Sequence, residues 1–202
     1  MNDPNDSGDT PLAEAVKKRD EQSMIVLLEH PGVDLNASDE YGKTALHSMV
    51  MFGKEKVVAE LLAKGADPKY ETKFGYNALH QAAMRDNVAI VKMLLDNGTD
   101  VNSSGDSGWT ALHHAASHQR ASNVTLLLER GAKVNAKTIY RDTALRFALM
   151  RGNIAIVKML LDHGADVNSN SFKPSVLELA SCIEQATKKR QMISLLRAAG
   201  AR

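Results

Sequence analysis

Apolar and polar positions along the chain recur in a fixed order at long intervals. A short block opens at Thr10-Pro11-Leu12 and returns at Thr44-Ala45-Leu46, Asn77-Ala78-Leu79, Thr110-Ala111-Leu112, Thr143-Ala144-Leu145 and Ser175-Val176-Leu177, in steps of 34, 33, 33, 33 and 32 residues. A leucine pair follows at a nearly constant distance, at Leu27-Leu28, Leu61-Leu62, Leu94-Leu95, Leu127-Leu128 and Leu160-Leu161. A glycine comes next, at Gly32, Gly65, Gly98, Gly131 and Gly164. Each block predicts two short antiparallel helices and an extended, turn-rich connector. In the third block the helices span 78–84 and 88–96, and Gly98 takes the left-handed position that ends the second. The opening threonine caps exposed backbone donors, and Pro11 is tolerated because first-turn amides have no internal partner. Ala82-Ala83 and Ala115-Ala116 let helices approach closely while the leucines fill the opposite seam. One unit cannot cover both of its faces, so the pattern predicts a single cooperative stack.

The repeated motifs resemble the ankyrin-repeat family. They read Thr44-Ala45-Leu46-His47, Asn77-Ala78-Leu79-His80 and Thr110-Ala111-Leu112-His113. The second helices run from Val88 to Leu95 and from Ile154 to Leu161, and the turns from Gly98 to Asn102, Gly131 to Asn135 and Gly164 to Asn168. The resemblance covers roughly Asp9 to Ala201. It implies an all-α repeat fold, an ankyrin solenoid of stacked helix-turn-helix units with β-hairpin-like connectors, whose first helices line a concave surface used for protein recognition. After an N-terminal tail at 1–8, one domain over 9–202 is expected, with six repeats at about 9–40, 41–73, 74–106, 107–139, 140–171 and 172–202. Glu14, Lys17, Lys18 and Arg19 mark the first repeat as a water-facing cap. Lys188, Lys189 and Arg190 do the same for the last, whose segment from Cys182 to Met192 is three residues longer than its counterpart.

Composition narrows the function. With 44% hydrophobic residues the body of the chain has enough apolar surface for a sizeable core. The net charge of +1 supplies no global field for nucleic acid or membrane, and one cysteine excludes an internal disulfide framework or a cysteine-rich metal site. No apolar run reaches 18 residues and the N-terminus has no secretory pattern, so a reducing interior is expected, cytoplasmic or also nuclear, with a secreted effector route left open. No glycine-rich phosphate loop or nucleophile motif appears, and equivalent residues fall into ladders rather than converging, so neither catalysis nor a cofactor is expected.

The histidines invite a metal reading that spacing disfavours. His47, His80 and His113 recur in successive repeats, roughly 10 Å apart if the helices pack at ordinary distances, too far for one ion. A structural hydrogen-bonding role is expected, which the family resemblance places at the turn beside the capping hydroxyl. His114 and His118 stand four apart on one helical face, a spacing that chelates metals, but no third ligand is fixed, so they are read as fortuitous or partner-contacting. Cys182 is expected to pack as a small apolar group.

The binding candidates form two rows. Tyr41, Phe74, Tyr140 and Phe172 occupy one connector position, and Tyr76 and Trp109 a second two residues on; such rings offer large contact area or brace adjacent connectors. Along the first helices, the positions expected to face the groove are Ser48, Met51 and Phe52; Gln81, Met84 and Arg85; His114, Ser117 and His118; and Phe147, Met150 and Arg151. Residues 1–136 carry 14 Lys or Arg against 19 Asp or Glu, and 137–202 carry 11 against 5, a dipole suited to orienting a partner by its acidic portion. The expected partner is another protein or peptide, held by a monomer across repeats two to five. Interleaved acidic residues disfavour nucleic acid. Scaffold or adaptor, inhibitor, and microbial effector against a host protein remain alternative roles. Asn36, Asn102, Asn135 and Asn168 are read as turn-satisfying residues that also resemble the family's hydroxylation sites.

Overall fold

The computed structural model describes residue 2 and residues 10–169 and 175–201. These form two compact units, Met1–Asp100 and Val101–Arg202, where the sequence reads as one domain. All regular structure among the described residues is helical.

The first unit holds α1 (Pro11–Lys18), α2 (Glu21–Leu28), α3 (Ala45–Phe52), α4 (Glu55–Ala63), α5 (Ala78–Met84) and α6 (Val88–Asp96). Consecutive helices pair as hairpins, α1, α3 and α5 pack in one row, and α2, α4 and α6 pack in another. Periodicity dictates this arrangement. In α3, Leu46, Met49 and Val50 fall on one face and meet a seam with Val57, Val58 and Leu61 of α4, all at most 1% exposed. Asp20 and Asn87 cap α2 and α6 by accepting the amide hydrogens of Ser23 and Ile90, each at 3.1 Å. The expected helix bounds within the third repeat, 78–84 and 88–96, coincide with α5 and α6, and Gly98 has φ +85°.

The second unit repeats the plan with α7 (Ala111–Ser117), α8 (Ala121–Glu129), α9 (Ala144–Met150), α10 (Ile154–Asp162), α11 (Val176–Ser181) and α12 (Ala186–Ala198). Here α7, α9 and α11 form one row and α8, α10 and α12 the other. Ala115, Ala116, Leu127, Ala148 and Leu160 are completely buried, the alanines allowing close approach and the leucines filling the seam. The irregular last repeat resolves as a six-residue α11 and a thirteen-residue α12, so its extra residues lengthen the second helix. No described helix is long and apolar enough to cross a membrane.

Connectors are hairpin-like in their bonding. Asp39 N donates to Lys43 O and Gly42 N to Asp39 O, closing a turn beside the antiparallel bridge of Ser38 with Thr44. The bridge of Ser104 with Thr110 marks the corresponding place in the second unit. Neighbouring connectors are joined by Lys73 N donating to Tyr41 O and Ile139 N to Ser107 O, both at 3.0 Å. At Gly108, φ is +73° and a Cβ would meet Thr138 Cα at 3.1 Å, so glycine answers both a conformational and a steric demand.

The recurrent asparagines also clamp repeat to repeat. Asn102 accepts from Lys133 N at 2.7 Å and donates to Gly131 O at 3.2 Å, and Asn135 does the same with Asp166 N and Gly164 O. Asn168 donates to Gly200 O, and Asn36 accepts from Asp67 N. Asn2 makes the identical pair, donating to Gly32 O at 2.7 Å and accepting from Asp34 N at 2.8 Å. It precedes Thr10 by eight residues, as Asn36 precedes Thr44, so Asn2, within the expected tail, stands in the register of a repeat connector.

Candidate functional site

The recurrent histidines are buried, His47 and His80 in the first unit and His113 in the second. His47 Nδ1 accepts the Thr44 amide hydrogen at 3.2 Å, so its Nε2 carries the proton and donates to the Tyr76 carbonyl at 3.3 Å. His113 repeats this with Thr110 N at 3.1 Å and Ala136 O at 3.0 Å. His80 accepts from Asn77 N at 3.1 Å, while the Asn77 side chain accepts from Leu79 N. Burial lowers the pKa of His47, and that of His113 to about 4, so both rings are neutral near pH 7. The link from His47 and His113 to the following connector is a second task that sequence spacing did not disclose. No group of three His, Cys, Asp or Glu among the described residues is placed to hold a metal ion.

In the first unit the candidate rings differ in what they touch. Tyr41 and Phe74 are more than half exposed at the connector tips. The Lys43 ammonium lies 5.8 Å from the Tyr41 ring centroid, and Tyr76 is half-buried against His80 at 5.2 Å between ring centroids. Met51, Phe52 and Met84 are half-buried, as are Ser48 and Gln81, whereas Arg85 is exposed. Arg19 lies 4.4 Å from the Phe52 centroid, so a cation from the first repeat covers one face of a ring expected in the groove.

The second unit brings four expected residues into one cluster. Trp109 enters α7 just before the capping Thr110, and its indole lies 4.4 Å from Phe147 of α9 and 4.9 Å from His114, centroid to centroid. His113 meets Phe147 edge-on at 5.9 Å. These contacts correct the placement of His114. It is 9% exposed, lying within the aromatic layer rather than facing the groove, and Ser117 is buried as well. The half-buried Trp109 and Phe147 form the accessible part of the shelf. His118 is exposed, with its Nδ1 3.0 Å from the His114 carbonyl, an interaction that requires it to donate.

Arg151 ends α9 and donates from Nε to Ser117 O at 2.8 Å, fixing an exposed guanidinium against the carbonyl end of α7. Arg146 is instead committed to Asp142 at 2.7 Å. Met150 is 61% exposed and Tyr140 69%; Ile139 beside it, absent from the sequence candidates, is 62% exposed. Phe172 lies outside the described residues. Cys182 is exposed rather than packed, because α11 ends one residue before it and leaves the thiol against Glu178 O at 3.4 Å.

Comparison with known families agrees with this architecture. A model of ankyrin repeats in three copies matches residues 1–72 and 49–138, and a model of ankyrin repeats in many copies matches 122–161. A search of curated proteins finds no match. Recurring helical pairs, connector glycines and these matches lead to one conclusion: the chain belongs to the ankyrin-repeat family.

Proposed function

We propose that this protein is a non-catalytic recognition scaffold or adaptor that holds another protein on the first-helix face of its second unit. Ankyrin repeats are generally protein–protein interaction modules, which supports the class. The observation that carries the location is the Trp109–Phe147 shelf. Two large rings, contributed by neighbouring repeats, lie on a bed of fully packed helices with partly accessible surface. Such rings add contact area with few torsions to freeze, and the scaffold beneath them is already ordered, so little conformational entropy is lost on binding.

Affinity purification with the native chain and with a Trp109→Ala, Phe147→Ala variant tests this reading, followed by calorimetry on each purified partner. A partner lost by the variant while both chains melt alike supports it; equal recovery and equal affinity overturn it. Assaying the partner's own activity in the complex then separates an adaptor, which leaves activity intact, from an inhibitor, which suppresses it. The half-buried aromatic shelf is compatible with either role, including an effector against a host protein.

A further inference from the structure

We infer that the second unit receives an acidic, apolar segment of its protein partner, with an apolar side chain on the Trp109–Phe147 shelf and a carboxylate on Arg151. This rests on the recognition reading above and adds the chemistry of the occupant. Residues 101–202 carry 14 Lys or Arg against 7 Asp or Glu, a balance of +7, so the unit's field favours an anionic partner. The field has a fixed local contact point. Arg146 is paired with Asp142, but Arg151 spends Nε on the Ser117 carbonyl and is held in place with its remaining guanidinium donors on an exposed side chain.

Arg151 also borders a groove of about 390 Å³ between the end of α9 and the α11–α12 turn, lined by Met150, Leu179, Ile183 and Lys188. Glu184 lines it too, placing one negative charge against two positive ones. A lining that combines Met150, Leu179 and Ile183 with Arg151 and Lys188 suits a mixed acidic and apolar sequence better than a uniformly charged strand. Trp109 enters one end of α7 and Arg151 is bound to the carbonyl of its last residue. Seven residues of helix span about 10 Å, the reach of about three extended residues. The matching segment therefore has an apolar residue, then Asp or Glu about three positions later, then a second apolar residue for the groove.

The test is selection from a phage-displayed library of random dodecapeptides on the full chain, followed by fluorescence anisotropy with synthesised winners at low and high salt. Enrichment of apolar and acidic residues at this spacing, with about tenfold weaker binding to Arg151→Glu and recovery when the peptide's acid is changed to Lys, is the expected result. Thermal melting establishes that Arg151→Glu is folded; Lys188→Glu, which leaves the Ser117 contact intact, supplies a second reversal. Winners that require Trp109 but show no charge preference or charge reversal overturn the acidic assignment and leave the recognition reading standing. Selected peptides indifferent to Trp109→Ala and Phe147→Ala overturn both. Binding of a uridine oligonucleotide with the same dependence on Arg151 and Lys188 overturns the inference in favour of nucleic acid.

Discussion

His113 and Ala136 are joined by a 3.0 Å hydrogen bond from the ring to the backbone carbonyl, which ties the start of α7 to the connector that follows α8. The other ring nitrogen accepts from Thr110 N, so both bonds as drawn require the neutral imidazole. Burial lowers its pKa from 6.5 to about 4. The unfolded chain therefore takes up the proton first on acidification. The stabilisation is complete above about pH 6.5 and lost as pH falls towards about 4, up to roughly 3 kcal/mol at this site. His47 shifts in the same direction. Urea unfolding at pH 7.5 and pH 5 should show lower stability at pH 5, and His113→Gln should show a smaller difference between the two conditions; an identical difference would remove His113 from the account.

Asn2 offers a test at the edge of the repeats. Its two bonds to Gly32 and Asp34 are those that Asn102 and Asn135 make between internal repeats. Asn2→Ala should cost about 1 kcal/mol in unfolding free energy and speed hydrogen exchange at the Asp34 amide, whereas Asn135→Ala should cost at least as much. Exchange at Asp34 unchanged by Asn2→Ala would show that the clamp does not persist in solution.

Gln119 has φ +60°, nine residues after its capping Thr110. At the same distance from their caps stand Gly53 and Gly152, with φ +69° and +63°. Gln119→Gly should raise stability by about 1 kcal/mol through relief of the left-handed conformation. Gly108→Ala should do the opposite and cost more, because the added Cβ also presses on the Thr138 backbone. Thermal denaturation of both variants checks the pair; equal destabilisation would contradict the backbone argument.

The fold was legible because stacking uses the same few positions in each repeat. Leu46 and Leu79 in the first unit, and Leu112 and Leu145 in the second, occupy equivalent core sites, each at most 1% exposed. Trp109 was visible as a connector ring and Phe147 as a groove-facing position, but the layer they form was not. Their stacking depends on side-chain direction across two helices, which also places His114 beneath the indole. Arg19 over Phe52 was hidden for the same reason, because the contact crosses repeats. Cys182 was misplaced because helix length, rather than residue type, decides its exposure. Asn2 carried a readable signal in its eight-residue distance from Thr10, although the strongly polar residues around it read as a tail.

The Trp109–Phe147 pair can be divided into folding and binding contributions. Their rings are 4.4 Å apart and tilted by 37°, close enough for a direct coupling of about 0.5–1.5 kcal/mol beyond the apolar area each buries. A double-mutant cycle of Trp109→Ala and Phe147→Ala, read by urea unfolding, should give that coupling because each single change already abolishes the contact. For binding, loss of a central aromatic anchor should cost about 2 kcal/mol or more, roughly a thirtyfold loss of affinity. The chain contains one tryptophan, so its emission also reports directly on whether ligand covers the shelf. Affinity should therefore fall further than stability alone explains, and a bound peptide should shift Trp109 emission without changing the helical circular dichroism. A zero folding coupling would show that the rings do not touch in solution. Affinity loss that disappears when measured well below every variant's melting temperature would assign the pair to packing alone.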